Sequence, residues 1–288
     1  MQAKPSSRAI KSVQLTSAHL RATLISQGAS LKSLILRREG EPDLPLIWDR
    51  GPVSAYMNNP EHAGSIAGRV AGRIAGGQFK IRGRRVQLET NEGPNTLHGG
   101  PAGFGQINWR WAGGSNFSLS SPNGDQGFPG RLEVRANYSL PDPLTLRLDL
   151  WAKAHQTTPI NLTHHPYWQL FGGTLRLAGD QFQSVGPDLI PSGGMSPFRP
   201  DLSQPLDHCV VLTGEGMRQV ATLDQAAAGF TLQVWSDATH LQVYNGQAGF
   251  VCLEPQSAND AVNQRDVPSI LLNPGKLWTR RIEYRFIL

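Results

Sequence analysis

Four of the eight histidines, His98, His164, His165 and His208, fall in short polar windows beside glycines or strand ends. Imidazole ordinarily titrates near neutral pH, so such windows are the first places to look for proton transfer. In Glu92-Gly-Pro-Asn-Thr-Leu-His-Gly-Gly100, His98 precedes two glycines, which let backbone approach a ligand closely, although a loop histidine can equally be a structural hydrogen-bonder. Pro159-Ile-Asn-Leu-Thr-His-His-Pro-Tyr-Trp-Gln-Leu170 reads as a strand. Alternation puts Asn161, Thr163, His165, Tyr167 and Gln169 on a polar face, and Ile160, Leu162, His164, Trp168 and Leu170 on an apolar one. His164 can equally be a buried, hydrogen-bonded histidine. Phe250-Val-Cys-Leu-Glu-Pro-Gln256 is an apolar strand ending in Glu254. A carboxylate there is expensive unless paired, and desolvation lifts it toward general-base range; the competing reading is a strand-end Glu in water. Gly68-Arg-Val-Ala-Gly-Arg-Ile-Ala-Gly76 carries Arg69 and Arg73 among small residues. A guanidinium there is either solvated or holds two oxygens of a polar ligand. Pro205-Leu-Asp-His-Cys209 adds Asp207, a hydroxyl acceptor or a partner for His208.

Other chemistries lack their residues. No His-x-His with a downstream Glu appears, and His164 and His165 alternate to opposite faces, so a metal site has no support. There is no Gly-x-Ser-x-Gly elbow and no phosphate-cradling glycine loop with lysine.

Antiparallel strands must position these groups. Leu132, Val134, Ala136, Tyr138 and Leu140 alternate with Glu133, Arg135, Asn137 and Ser139. After a turn at Pro141-Asp-Pro143, Leu144, Leu146, Leu148 and Leu150 alternate again, which predicts a hairpin with one buried face. Further strands are expected at 20–25, 30–36, 230–235, 240–245 and 281–288, and the one helical signal is short, at 224–228. The fold class is all-β, in a single domain over residues 1–288.

Composition agrees. Gly (31) and Pro (21) are abundant among 288 residues, which favours turns over long helices. No apolar run approaches the roughly 18 residues of a membrane span. Residues 1–30 have basic groups without an apolar core, and two cysteines make no disulfide framework, so the expected location is cytoplasmic. A net charge of +5 raises nucleic acid as a partner. The tight cluster Arg82-Gly-Arg-Arg85 has no interleaved aromatics, and a solvated surface without nucleic-acid or membrane partners is the better reading.

Taken in order, the windows resemble the aldose 1-epimerase (galactose mutarotase) family. The resemblance rests on Gly68–Ile74, Gly93–Gly100, Gly127-Phe-Pro-Gly130, Asn161–Trp168, Asp207-His208, Cys252–Gln256 and Leu272-Asn-Pro-Gly-Lys276, and runs from about residue 15 to the end. It implies a large antiparallel β-sandwich that interconverts the α and β anomers of a free monosaccharide without a cofactor or metal. By motif position it implies Glu254 as the base on the C1 hydroxyl, His165 as the acid on the ring oxygen and His98 as a second active-site histidine. Arg73, Asp207, Asn95 and His164 fall at substrate-binding positions. Trp109, Trp151 or Trp168 could offer the sugar an apolar face, although a tryptophan in such a place is more often core.

The sequence departs from the family pattern at several points. Gly72 stands where the family often has Asn, His164 where Asn usually precedes the catalytic histidine, and Ala238 near a sugar-binding Gln of some members. Pro166, Trp168 and Gln169 replace the commoner Ser, Phe and Asn. These exchanges leave the particular sugar open. They also motivate a rival reading, a catalytically silent sugar-binding protein on the same fold. A glycoside hydrolase would need two well-placed carboxylates, and only Glu254 has a convincing window.

Overall fold

The computed structural model describes residues 9–288. Residues 1–8, where the reading of the N-terminus begins, lie outside the described residues. Every ladder between named strands is antiparallel, and the helical segments among the described residues are four short 3-10 turns. The helical signal at 224–228 is one of them, Ala226–Ala228, closed by Gly229 in the left-handed conformation.

The largest sheet has eight strands, in the order Arg110–Trp111, Asn116–Ser121, Leu132–Asp142, Thr145–Ala154, Leu277–Ile287, Phe230–Ser236, Arg218–Gln225 and Thr174–Leu177. Its centre is the expected hairpin. Val134 faces Ala152 and Tyr138 faces Leu148, all buried, while Arg135 lies over Trp151 on the other face. The first strand runs on through Pro141, with a register shift between Ser139 and Asp142.

A second sheet of six strands runs Tyr167–Gln169, Phe250–Gln256, His240–Tyr244, Asp207–Val211, Gln181–Val185 and Pro191–Pro197. A third, of four strands, is built from Ser12–Thr16, Leu20–Ile25, Ser30–Leu36 and Leu44–Pro45. One face of each feeds a common core: Leu24 and Leu34, Val134 and Ile282, and Val243 and Leu253 belong to a single buried cluster. Trp168 packs on Tyr284 across the gap, with ring centroids 4.7 Å apart. Each fully buried aliphatic side chain of this kind contributes about 1.5–3 kcal/mol.

Alternation then decides what the six-stranded sheet shows on its other face. Asp207 pairs with Tyr244, Tyr244 with Cys252, Cys252 with Tyr167, and Gln242 with Glu254. Directly opposed residues of an antiparallel pair share a face, as do residues two apart. Asp207, Tyr167, Gln242, Tyr244, Cys252 and Glu254 therefore project from one wall, while Val210, Leu241, Val243, Val251 and Leu253 face the core.

Residues 159–170 are not one strand. Thr158–Pro159 pairs with Leu271–Leu272, Thr163–His164 with Ile66–Ala67, and Tyr167–Gln169 with Phe250–Gln256. Pro166 has no N–H to continue a ladder, and the chain changes partner around it. His165, at that break, is fixed by its N–H donating to the Ser65 carbonyl and its carbonyl accepting from Gly64 N–H.

Candidate active site

Against the polar wall of the six-stranded sheet lie two irregular stretches, residues 60–73 and 92–98. Together they enclose a cavity of about 320 Å³. That is at the small end of ligand pockets, roughly 300–1,000 Å³, and suits a monosaccharide. His98, His165, Glu254, Arg73 and Asp207 all line it.

Glu254 and His165 form its buried centre. Nε2 of His165 lies 3.4 Å from Oε1 of Glu254, and both side chains are almost wholly buried. Glu254 Oε2 and His165 Nδ1 have no protein hydrogen-bond partner. Burial, reinforced by the nearby Asp207 charge, pushes the Glu254 carboxyl well above the usual carboxylate range. Burial also pushes His165 down, to about 3. Both shifts disfavour charge in a dry site, so the pair holds one proton between them over a wide pH range.

Arg73–Ile74 pairs with Thr96–Leu97, and this short ladder brings Arg73 and His98 to one end of the cavity. His98 Nδ1 accepts a hydrogen bond from Gly72 N–H at 3.3 Å. A neutral imidazole accepting at one nitrogen carries its proton on the other, so His98 holds a hydrogen on Nε2. Burial and the neighbouring His62, His165 and Arg73 keep it far below the ordinary imidazole pKa. Gly72 is glycine for a steric reason. Its φ is +74°, and a Cβ would sit 1.9 Å from the Asn259 side-chain oxygen. At Gly99, φ +88°, a Cβ would strike the Gly68 carbonyl oxygen at 2.1 Å, so the turn after His98 packs directly on the arginine-bearing stretch.

The polar lining is continuous. Arg73 donates from Nε and Nη2 to the two oxygens of Glu92 at 2.7 and 2.8 Å, and Nη2 also reaches Asp207 at 3.3 Å. Gln242 donates to the other oxygen of Asp207, and Asn259 donates to Gln242. Burial raises the Asp207 carboxyl, against the pull of Arg73. Tyr167 stacks on His165 with centroids 5.1 Å apart, and Tyr244 stands edge-on to it at 6.4 Å.

Some sequence assignments move. His164 does not line the cavity. It is fully buried between the sheets, with Nε2 donating to the Gly64 carbonyl at 3.1 Å and Nδ1 accepting from the Tyr284 hydroxyl at 3.0 Å. It braces the segment that holds His165, which is what its place on the apolar face indicates. Asn95 is also turned away: its side-chain oxygen accepts from Gly76 N–H, which fixes the turn after Glu92. Arg69 is a buried tie to the carbonyls of Pro129 and Gly130. His208 lies among Phe182 and Phe198. Trp109 and Trp168 are core, and Trp151 packs under Arg135, so the apolar wall is Tyr167 and Tyr244. Ala238 is buried, and the amide in the cavity comes from Gln242.

Sequence reasoning misses His62, Glu92, Gln242, Tyr244 and Asn259 as lining residues. His62 is the largest omission. Its ring lies 4.8 Å from that of His98, and burial lowers it to about 4. It sits in irregular chain with no periodic signal. Gln242 and Tyr244 were legible in principle, since pairing 240–245 with the Glu254 strand puts them on its face. His98, His165 and Glu254 also form the one cluster among the described residues with donor atoms close enough for a metal ion, within 4.8 Å of one another.

Fold and pocket together define a β-sandwich protein with a buried carboxyl–imidazole pair in a sugar-sized cavity. The chain belongs to the aldose 1-epimerase family: the model of the family described as aldose 1-epimerase matches residues 11–285. Galactose mutarotase from Homo sapiens is 32% identical over 96% of this chain and 94% of its own length. Aldose 1-epimerase from Escherichia coli (strain K12) is 28% identical over 92% and 91%. Among solved structures, the GalM/aldose epimerase homologue from C. elegans superposes with a TM-score of 0.88 at 22% identity, over 97% of this chain and 99% of that one. Galactose 1-epimerase from Lactobacillus acidophilus NCFM gives 0.85, also at 22% identity, over 99% and 96%.

Proposed function

We propose that this protein is an aldose 1-epimerase that interconverts the α and β anomers of a free monosaccharide, with Glu254 as base and His165 as acid. The observation that carries the reading is the 3.4 Å contact between two buried, oppositely shifted groups in a cavity of sugar size. Glu254 takes the proton of the C1 hydroxyl, the C1–O bond to the ring oxygen breaks as the carbonyl forms, and His165 gives that oxygen a proton. Rotation about C1–C2 and closure with the roles exchanged return both protons, so the site is unchanged after a turnover. With the cyclic sugar the pair is carboxylate and imidazolium; with the open chain it is carboxylic acid and neutral imidazole. Burial favours the second, uncharged state of the pair. The Nε2–H of His98 supplies a fixed donor toward developing negative charge. Arg73, Asp207, Gln242 and Asn259 orient hydroxyls, and Tyr167 and Tyr244 face the ring carbons.

The chain is taken as one domain of this family. The family match over residues 11–285 supports that, as does the common core of the three larger sheets. Among the described residues no helix is long and apolar enough to cross a membrane. Both cysteines are free and buried, in keeping with the reducing cytoplasm we propose as its compartment.

Polarimetry on freshly dissolved α-glucose, α-galactose and a panel of pentoses tests the activity, and no acceleration with any aldose would sink it. Glu254→Gln and His165→Asn should each slow turnover by roughly 10²–10⁴-fold, the usual yield of a positioned acid or base. Wild-type rates in both would refute the assigned roles.

A further inference from the structure

We propose that Glu92 determines specificity at this site by closing the pocket to sugars that carry a negative charge; this rests on the anomerisation reading above. Arg73 is the only lysine or arginine among the described residues lining the cavity, whereas four carboxyl groups line it: Glu61, Glu92, Asp207 and Glu254. Left free, a guanidinium in a sugar pocket would attract uronates and sugar phosphates, since its fork matches two oxygens of a carboxylate or phosphate. Here that fork is taken. Both oxygens of Glu92 are engaged by Nε and Nη2, and Nη2 is shared with Asp207.

Glu92 is not a loose rim residue. Its backbone exchanges hydrogen bonds with Asn95, from Asn95 N–H at 2.9 Å and to the Asn95 carbonyl at 3.2 Å. Asn95 is itself pinned to Gly76 N–H at 3.0 Å. The turn thus holds the carboxylate against Arg73 from the mouth side, where Glu92 is about one-third exposed. A substrate carboxylate seeking Arg73 must displace Glu92 and sit beside Asp207, whereas Glu61 is already ion-paired with Arg50. A neutral hydroxyl meets no such opposition and can use the remaining Nη1 donors. Selection of this kind works through a repulsive element rather than a new attraction. The protein's net charge of +5 draws anions toward the molecule as a whole, so exclusion of anionic sugars rests on the pocket itself.

The test compares galactose with galacturonate, and glucose with glucuronate, by polarimetry at fixed ionic strength in wild type, Glu92→Gln and Glu92→Asp. Wild type should favour the neutral sugar in kcat/KM. Glu92→Gln should raise the uronate-to-neutral ratio at least about tenfold, mainly through the uronate KM, the factor one charge-assisted hydrogen bond supplies. Glu92→Asp, which keeps the charge, should stay near wild type. Should Glu92→Gln fail to fold, Glu92→Ala takes its place, with the same rise in the uronate-to-neutral ratio expected. Equal use of uronate and neutral sugar by wild type, or an unchanged ratio in a folded charge-removing variant, overturns the proposal. A wild type inert toward every neutral aldose would instead strike the anomerisation reading, so the two failures are distinguishable.

Discussion

His98 shows how a backbone bond sets a side chain's chemistry. Because Gly72 N–H donates to Nδ1, the ring presents an N–H to the cavity and gives up that bond if protonated at Nδ1. In the proposed mechanism its task is to donate a hydrogen bond, and proton exchange falls to Glu254 and His165. His98→Gln, whose amide keeps a donor near the Nε2 position, should retain clearly more activity than His98→Leu. The leucine variant should lose roughly 10²–10³-fold in kcat, as for removal of one oriented donor; equal losses in the two variants would refute the donor role. His98, Glu254, His165, Arg73 and Asp207 were legible because each sits in an ordered string of glycines, prolines or strand alternation that fixes its direction. His62 and Asn259 were not, because irregular chain brings them to the cavity and no local period records where such chain goes; Glu92 shares the His98 window, but only its long-range contact with Arg73 reveals where its side chain turns. Asn259 left one trace, the glycine at position 72 that makes room for it.

At the scale of elements, the proposed acid and base ride on separate segments that need a tie. Arg280, on Leu277–Ile287, supplies one. Its Nη1 donates to the Asn161 side chain and the Leu162 carbonyl at 3.2 Å, and to the Pro255 carbonyl at 3.4 Å. One guanidinium thus joins the stretch leading to His165 with the residue after Glu254, and although burial lowers it to about 10 it stays charged at neutral pH. Thr163 donates to the same Pro255 carbonyl at 2.9 Å. Arg280→Met should lower the melting temperature and reduce kcat at least tenfold with a smaller change in KM, because it disturbs pair geometry rather than sugar contacts. Unchanged kcat in a destabilised variant would make Arg280 purely structural. The strands were the most legible elements, since their alternation is strict. The stretch 159–170 was misread as one strand because alternation records which way side chains point, while each of its pieces pairs with a different partner.

At the scale of the whole molecule, several histidines are buried neutral in different places. His164 and His165 are lowered to about 3, and His62 and His240 to about 4, each chiefly by burial. Unfolded, each would bind a proton below about pH 6.5. Between that pH and the folded values the unfolded chain binds more protons, so stability falls as the pH drops through this window. Each histidine adds a slope of up to about 1.4 kcal/mol per pH unit. Urea unfolding from pH 7 to 4 should show this steepening, and His164→Gln should reduce it; a flat profile would mean these rings take up protons while folded. The overall architecture was legible because turn-forming residues and period-2 strands leave few alternatives. The assembly of the pocket from residues between positions 60 and 259 was not.

The polar wall of the six-stranded sheet also carries Cys252, fully buried behind Tyr167 and beside Tyr244. Its thiol, raised far above its ordinary pKa by burial, is inert while that wall is closed. Its rate of alkylation would therefore act as a clock for opening of the proposed sugar site. An alkylating reagent should reach Cys252 only when Tyr167 and Tyr244 part, and a sugar bound between them in the proposed site should slow that reaction.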